Sequence, residues 1–321
     1  MKPISQFMTS SIVGAALCFM PHLSMAQDYP EKPIEVVVGY SAGGGTDVMA
    51  RTIASHLEPY LGNDASVVVK NHPGAGGQIG FTKVATAKAD GYTLGTMNLP
   101  AALALTYDRK ADYDASSFTW LANFVADPNT LVVRADSNIH SVADLVNEAK
   151  AKNGKLTVGL SSLGGNDHFA AIGFEQAAGV ELIQVPFKGA AMARTSLLGG
   201  HVAFGTMAFS QTVGFENELR VLAVLSEERL SQAANVPTAK ELGYDVVMGS
   251  YRGLVAPADM PAPVVAKLKS ALSELSKDSD FLAEMAKRGS PVVFKEGAAY
   301  TQLAADQNKA AKAIWTQTPW K

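Results

Sequence analysis

Short runs of β-branched residues alternate with helical patterns from Ile34 onward, and this alternation constrains the fold more than any other feature of the sequence. Such an order is typical of βαβ units, in which each strand is followed by a helix that packs on the sheet. The candidate strands are residues 34–38, 66–70, 92–97, 130–134, 156–160, 181–185, 202–206 and 220–225. The pattern predicts an α/β protein whose sheets are mostly parallel and flanked by helices.

Two of the predicted helices carry a regular apolar stripe. In the first, Met49, Ile53, Leu57 and Leu61 recur every four residues, which places them on one face against a sheet. A later helix repeats the device with apolar residues at 265, 268, 272 and 275, and Pro263 is suited to its first turn.

Two extended stretches, residues 118–132 and 245–257, are candidates for crossings between two lobes. If they pair as adjacent strands, they form the hinge of a clamshell that closes by rotation. The predicted division gives lobe one residues 27–127 together with 248–321, and gives lobe two residues 128–247. Two independent domains in series are the alternative.

The N-terminus has the order of a secretory signal peptide. Lys2 precedes an apolar run over residues 12–20, and Ser24 and Ala26 fit the small-residue positions of a cleavage site. We therefore expect residues 1–26 to be removed after Ala26 and the protein to reside in the periplasm. An uncleaved anchor is the alternative, but the run is shorter than the roughly 20 apolar residues of a membrane span.

Cleavage there would remove Cys18, the only cysteine, and leave 295 of the 321 residues with a formal charge of −4 instead of −3. A chain without cysteine has no disulfides, so apolar cores must stabilise it, and this length is sufficient for two of them. Leu17 stands where a lipid-attachment site requires a small residue, which argues against a lipoprotein. Mild acidity also argues against binding to nucleic acid or to an anionic membrane.

Glycine-rich stretches follow the first two predicted strands directly. A glycine run between a strand and a helix exposes backbone N–H groups at the positive end of the helix dipole, where anions bind. Two such loops at neighbouring strand ends form one pocket. The candidate ligand-binding residues are Tyr40, Ser41, Ala42, Gly43 and Gly44 in the first loop and Gly74, Ala75, Gly76 and Gly77 in the second. Asp47, also a candidate, is better suited to capping the helix or orienting the loop, because a bound anion would repel it.

The composition of the two loops indicates which anion they bind. Neither loop reads G-x-G-x-x-G, and the sequence contains no G-x-x-x-x-G-K-[ST] motif for nucleotides. Neither loop holds a lysine or arginine that would neutralise a phosphate dianion. A carboxylate, satisfied by amides and hydroxyls, suits them better.

Residues 39–43 also match the G-x-S-x-G nucleophile elbow, with Ser41 as the nucleophile. A secreted serine hydrolase is therefore an alternative, although the elbow of that fold follows several core strands and this one follows the first. The histidines lack metal-ligand spacing such as H-E-x-x-H. We expect no catalytic residue, no metal and no cofactor.

Similar strand-to-helix turns in lobe two face the first pair. Ser161, Ser162, Asn166 and His168 follow the strand at 156–160, and Phe187, Lys188 and Gly189 follow the next strand. Lys188 is either a cation in the cleft or a solvated loop lysine. Phe187 either forms a wall for the apolar part of a ligand or packs within lobe two.

Five segments together resemble the substrate-binding receptors of tripartite tricarboxylate transporters, the TctC or Bug family. They are YPEKPIEVVVGYSAGGGTDVMAR, NHPGAGGQIG, ADGYTL, VPFKGAAMARTSLLGGHV and VPTAKELGY, in order over nearly the whole chain. The resemblance implies a two-lobed, type II-like periplasmic binding-protein fold that works as a monomer with large and small membrane subunits. It also implies a di- or tricarboxylate, amino acid or aromatic acid ligand, with one carboxylate held, partly through water, by residues 41–44 and 74–77.

The sequence departs from the family pattern at two places. Ala203 replaces a common acidic residue, which weakens the expected ligand contact near Thr206, and Tyr251 with Arg252 replaces a common aromatic pair. Arg252 is either a partner for the distal carboxylate of a dicarboxylate or an exposed hinge arginine. A sensor that presents its ligand to a signalling partner is an alternative to transport.

Overall fold

The computed structural model of the chain describes residues 29–290 and 292–320, so the predicted signal peptide lies outside the described residues. The strands are β1 (Ile34–Val38), β2 (Val67–Asn71), β3 (Thr93–Leu99), β4 (Phe118–Pro128), β5 (Thr130–Arg134), β6 (Thr157–Leu160), β7 (Ile183–Pro186), β8 (Phe204–Gly205), β9 (Leu219–Val224), β10 (Gly249–Pro257) and β11 (Val292–Glu296). The helices are α1 (Gly45–Leu61), α2 (Gln78–Ala85), α3 (Ala101–Asp108), α4 (Val142–Ala151), α5 (Asn166–Ala178), α6 (Ala190–Leu198), α7 (Ala262–Leu275), α8 (Ser279–Lys287) and α9 (Gly297–Gln317). No helix in these two ranges is long and apolar enough to cross a membrane.

The described strands form two sheets, with the orders β11-β4-β10-β3-β1-β2 and β7-β6-β8-β5-β9. The α/β class predicted from the alternation is confirmed. Each sheet is mixed, however, and not mostly parallel: β1 is parallel to β2 and β3, whereas β10 is antiparallel to β3 and β4. The reason is that parallel pairing requires a crossover helix, and β4 and β10 instead enter the first sheet as the chain leaves for lobe two and returns.

The two crossing segments pair as adjacent strands, as the sequence predicts. Their antiparallel register runs from Gly249 opposite Pro128 to Pro257 opposite Phe118. Where the chain passes between the sheets, the Asn129 amide donates to the Met248 carbonyl at 2.8 Å. Because the first sheet uses only residues 34–128 and 249–296 and the second only 130–224, we propose to keep the division into lobe one (27–127 with 248–321) and lobe two (128–247).

Apolar stripes fix the helices on the sheets. Met49, Ile53, Leu57 and Leu61 of α1 are all buried against β1 and α7, as their four-residue spacing predicts. Burial of each such side chain contributes about 2 kcal/mol. In α7 the first member of the buried stripe is Val264 and not Val265, while Pro263 lies in the first turn as expected.

A third connection between the lobes, which the sequence analysis did not anticipate, comes from the segment after α9. Trp320 packs on α5 of lobe two, with its ring centroid 5.1 Å from that of Phe169 and 5.5 Å from that of His168. Ala104 of α3 and Ala311 of α9 complete this buried cluster. The C-terminal segment therefore supports the helix that begins at the cleft.

Candidate functional site

A cavity of about 790 Å³ lies between the two lobes, which is the size of a typical small-molecule site. The turns after β1 and β2 form its lobe-one wall, and the turns after β6 and β7 form its lobe-two wall. The predicted residues that line it are Tyr40, Ser41, Ala42, Gly44, Gly74, Ala75, Gly76, Gly77, Ser161, Ser162, Asn166, Phe187, Lys188, Gly189 and Arg252.

Four of the predicted ligand-binding residues, Gly43, Asp47, His168 and Thr206, are not among those that line the cavity. The Gly43 amide donates to the Asp47 carboxylate at 2.8 Å, which occupies both groups. Thr206 Oγ1 donates to the Asp167 backbone carbonyl at 2.7 Å and lies inside lobe two. A position near a strand end predicted proximity to the cleft but not the direction of these side chains.

Asp47 holds the first glycine turn in place. Besides the Gly43 amide, its carboxylate accepts hydrogen bonds from Arg51 Nε at 3.1 Å and from Asn71 Nδ2 at 2.8 Å. Burial raises the pKa of Asp47, but these hydrogen bonds outweigh burial and leave the pKa below its ordinary value. The loop-orienting role that the sequence favoured for Asp47 matches these contacts.

His168 does for the lobe-two turn what Asp47 does for the first. Its Nδ1 accepts a hydrogen bond from the Gly164 amide at 3.0 Å, and the side chain is only 3% exposed. Burial lowers the pKa of His168 to about 4, against a weaker opposing hydrogen bond from Gln184. The imidazole is therefore neutral near pH 7 and acts as an acceptor inside the lobe.

The two glycine-rich loops of lobe one touch through their backbones. A β-carbon on Gly39 would lie 2.8 Å from the Gly77 carbonyl oxygen, and one on Gly80 would lie 2.5 Å from the Gly39 Cα. Residues 74–77 all have positive φ, including the non-glycine Ala75 at 48°. Glycine is needed at these contacts because any side chain would push the loops apart.

Helices α1, α5 and α6 begin at the cavity without side-chain caps. Their N-cap residues are Gly44, Gly165 and Gly189, and none of them supplies a capping hydrogen bond. The first amides of a helix have no partner within the helix, so these amides are available to an anion at the positive end of each helix dipole.

The carboxylate of Asp167 also borders the cavity, but its oxygens already accept hydrogen bonds. The donors are Ser161 N at 3.0 Å, Asn129 Nδ2 at 3.0 Å and Asn166 Nδ2 at 2.7 Å. Burial raises the pKa of Asp167 despite these donors. Asp167 and Asn166 therefore form one wall of fixed polar groups with Asn129 behind it.

Arg252 lines the cavity from the crossing strand β10 and is only 4% exposed, so the alternative of an exposed hinge arginine is wrong. Nη2 donates to Asp127 Oδ2 at 2.6 Å, and Nε donates to Ser250 Oγ at 3.1 Å. Nη1 has no partner among the described residues. Because Asp127 already balances the charge of Arg252, a second ion pair with a distal carboxylate is less favourable than the sequence suggested.

Several polar residues of the cavity were not predicted from the sequence, namely Thr46, Asn98, Arg109, Asp167, Gln211 and Ser250. Asn98 lies at the end of β3, beside β1, and the rule that ligands bind at the carboxyl ends of parallel strands would have identified it. Ser250 and Gln211 offered no such signal, because only the pairing of β10 and the turn after β8 bring them to the cleft.

For Lys188 and Phe187, both of the alternatives predicted from the sequence hold at once. Lys188 is exposed and also lines the cavity, while Phe187 lines it with one face and packs on the Leu197 cluster of lobe two with another. The described histidine side chains that make polar contacts bond away from Ser41: His56 with Glu284, His72 with Lys83 and His168 with Gly164. No group of three potential metal ligands occurs in the described residues.

Comparisons with known proteins agree with this geometry. A family model described as the tripartite tricarboxylate transporter family receptor, TctC, matches residues 49–318. A Cupriavidus necator protein named for its place in the gbd 5′ region is 33% identical over 308 residues, which cover 95% of this chain and 93% of the relative.

Two solved structures from Rhodopseudomonas palustris share the fold. MatC with bound malate has a TM-score of 0.81 at 26% identity, covering 89% of this chain and 99% of that one. A protein solved with adipate has a TM-score of 0.80 at 27% identity, covering 90% and 97%. The proteins of this family are solute-binding receptors and not enzymes, which sets aside a hydrolase based on Ser41. The chain therefore belongs to the TctC family of tripartite tricarboxylate transporter receptors.

Proposed function

We propose that this receptor captures a small organic carboxylate in the interlobe cavity and delivers it to the large and small membrane subunits of a tripartite transporter. One ligand carboxylate lies on the turns at residues 41–44 and 74–77. The receptor works in the periplasm as a monomer, after cleavage behind Ala26. The observation that carries this proposal is the close backbone contact between the two glycine loops. These loops lie beside the N-terminus of α1, which has no side-chain cap.

Lobe two must contribute to affinity as well as to choice of ligand. Three hydrogen bonds to a charged carboxylate supply roughly 5 to 9 kcal/mol, while association costs about 4 to 15 kcal/mol. Micromolar binding needs about −8 kcal/mol net. Ser162, Asn166 and Lys188 on the opposite wall are suitably placed to supply the difference. Contacts from both walls exist together only when the lobes close, so closure traps the ligand.

The ligand class is best supported as a dicarboxylate. Malate and adipate, the ligands of the two structural relatives, are both dicarboxylates. In this chain the uncapped N-termini of α1 and α5 lie on opposite walls of the cavity. Each wall can therefore accept one carboxylate.

A thermal-shift screen of carboxylates tests the proposal, with the neutral amide of each acid as its control. A ligand at about 100 times its Kd adds about 2.7 kcal/mol of stability. We expect stabilisation by dicarboxylates and none by the diamides. Equal stabilisation by acids and amides would contradict a site built for negative charge.

A further inference from the structure

Two side chains that line the cavity each have one polar atom without a hydrogen-bond partner among the described residues. Asn98 of β3 and Arg252 of β10 stand directly opposite each other in the antiparallel register, so their side chains are neighbours on the same face. Both line the cavity. Asn98 Oδ1 and Arg252 Nη1 are buried and make no hydrogen bond within the described residues.

The remaining atoms of both groups are fixed. Asn98 Nδ2 donates to Thr46 Oγ1 at 2.7 Å, and Arg252 is anchored by Asp127 and Ser250. The two residues therefore present one acceptor and one donor in constant positions. A buried polar atom without a partner is costly, which favours a ligand group that satisfies both atoms at once.

These atoms lie next to the proposed carboxylate turn. A β-carbon on Gly45 would be 2.7 Å from Arg252 Nη1, and Thr46, the partner of Asn98, is the following residue. Residues 41–44 immediately precede both positions. A ligand whose carboxylate occupies that turn therefore lies beside Asn98 and Arg252.

We infer that Asn98 and Arg252 form a subsite for an α-hydroxyl group, so that the receptor prefers 2-hydroxy acids to acids with hydrogen or an amine at that position. The inference rests on the proposed function. A hydroxyl donates to Asn98 Oδ1 and accepts from Arg252 Nη1. An ammonium can donate to Asn98 Oδ1 but has no lone pair with which to accept from Arg252 Nη1, and the Asp167 carboxylate on the cavity wall is already occupied by three donors.

The test measures Kd by calorimetry for three matched sets on the whole protein. The sets are malate, succinate and aspartate; lactate, propionate and alanine; and mandelate, phenylacetate and phenylglycine, with both enantiomers of each chiral acid. In the set that binds, we expect the hydroxy acid to bind about 10- to 100-fold tighter than the acid without a hydroxyl. The amino acid should bind more weakly than the hydroxy acid.

Variants assign the preference to the two residues. Asn98→Leu removes the acceptor. Arg252→Lys removes the spare guanidinium donor and keeps a cation beside Asp127. Arg252→Ala is not used, because it would leave the Asp127 carboxylate buried and unpaired. Asn98→Leu and Arg252→Lys should each reduce the ratio of the two Kd values to near one. Asn123→Leu is the control. Asn123 is also buried, and its Oδ1 also has no partner among the described residues, but its Nδ2 donates to the Val293 carbonyl and it does not line the cavity. This variant should keep the wild-type ratio of the two Kd values.

The outcomes separate the two levels of the proposal. If carboxylates bind but the hydroxyl adds nothing, or if Asn98→Leu retains the preference, the subsite is overturned and the carboxylate receptor stands. If no acid of any set binds, both are overturned.

Discussion

The turns before α1 and α5 share one backbone conformation and differ in the side chain that stabilises it. In residues 43–47 and 164–168, a glycine with positive φ donates its amide to a side chain four residues later. That side chain is the carboxylate of Asp47 in lobe one and the imidazole of His168 in lobe two. Arg51 and Asn71 support Asp47, whereas Trp320 and Phe169 pack on His168.

The difference shows that the same turn can be stabilised by charge or by apolar burial. Arg51 lies four residues after Asp47, and the residue four after His168 is the buried Ile172. A carboxylate at position 168 would be buried without a cation, which is costly. A neutral imidazole is an acceptor that burial permits.

The largest effect is expected when the apolar support of the lobe-two turn is removed. Trp320→Ala should lower the free energy of unfolding by about 3 to 5 kcal/mol, the usual cost of deleting a buried tryptophan. It should also weaken ligand binding, because Trp320 supports the start of α5. Urea unfolding measures the first effect and calorimetry the second. Tyr60→Ala, at an exposed aromatic of lobe one, is the control, and a loss below about 1 kcal/mol in Trp320→Ala would contradict the packing role.

Acid should loosen the lobe-two turn before the lobe-one turn. Because burial lowers the pKa of His168 from 6.5 to about 4, its contribution is complete above pH 6.5 and is lost as the pH falls towards 4. The lost free energy of unfolding is about 3 kcal/mol. Urea unfolding between pH 7.5 and 4 measures it.

His168→Asn is the matched control for this pH effect, since asparagine offers an acceptor at the same position and does not titrate. Burial raises the pKa of Asp167, so the stability that Asp167 contributes is present at low pH and is lost as the pH rises through its folded pKa. The difference between the free energies of unfolding of the two proteins at each pH excludes this opposite effect, because both proteins retain Asp167. Identical pH profiles for the wild type and His168→Asn would contradict the assignment.

Neutralising the lobe-one acceptor should have a smaller effect at neutral pH. Asp47→Asn should lower the free energy of unfolding by about 2 kcal/mol, as for the loss of hydrogen bonds to a charged group. The pKa of Asp47 is below its ordinary value of 3.8, so its contribution is present above that value and is lost only as the pH falls through the folded pKa. Urea unfolding at pH 7 and pH 5 should therefore give the same difference, and a difference that vanishes at pH 5 would contradict it.

The smallest effect is expected from the cation that supports Asp47. The Arg51 side chain is 51% exposed, so Arg51→Ala should cost less than about 1 kcal/mol. Added salt should reduce that cost further, because exposed charges are screened. A double-mutant cycle with Asp47→Asn measures the coupling, and a cost for Arg51→Ala equal to that of Asp47→Asn would show that the turn depends on the ion pair alone.

The eight candidate strands and the α1 stripe could be predicted because they depend on local periodicity, and the crossings because both are extended stretches that a two-lobed chain would pair. Strand β11 was not predicted. The mixed sheets could not, since strand direction is decided by where β4 and β10 enter. The contact between Trp320 and α5 joins residues about 150 apart in the chain, and no local pattern signals it.

The shared sequence pattern of the two turns also predicts the wrong pair of equivalent residues. Ser41 to Asp47 and Ser161 to Asp167 share the pattern S-x-x-G-G-x-D, which aligns Asp47 with Asp167. The hydrogen bonds instead align Asp47 with His168, because α1 begins at Gly45 and α5 begins one position later in the pattern, at Asn166. His168 therefore has the acceptor role of Asp47 and lies inside the lobe, although its place after a strand predicted a ligand contact.

A crystal structure with the tightest-binding acid from the thermal screen would test most directly where the ligand's charge is held. One pair of carboxylate oxygens should lie about 2.7 to 3.2 Å from backbone amides of residues 41–44 and 74–77, or reach them through a single water. A ligand bound with neither carboxylate at these turns would contradict the proposed site.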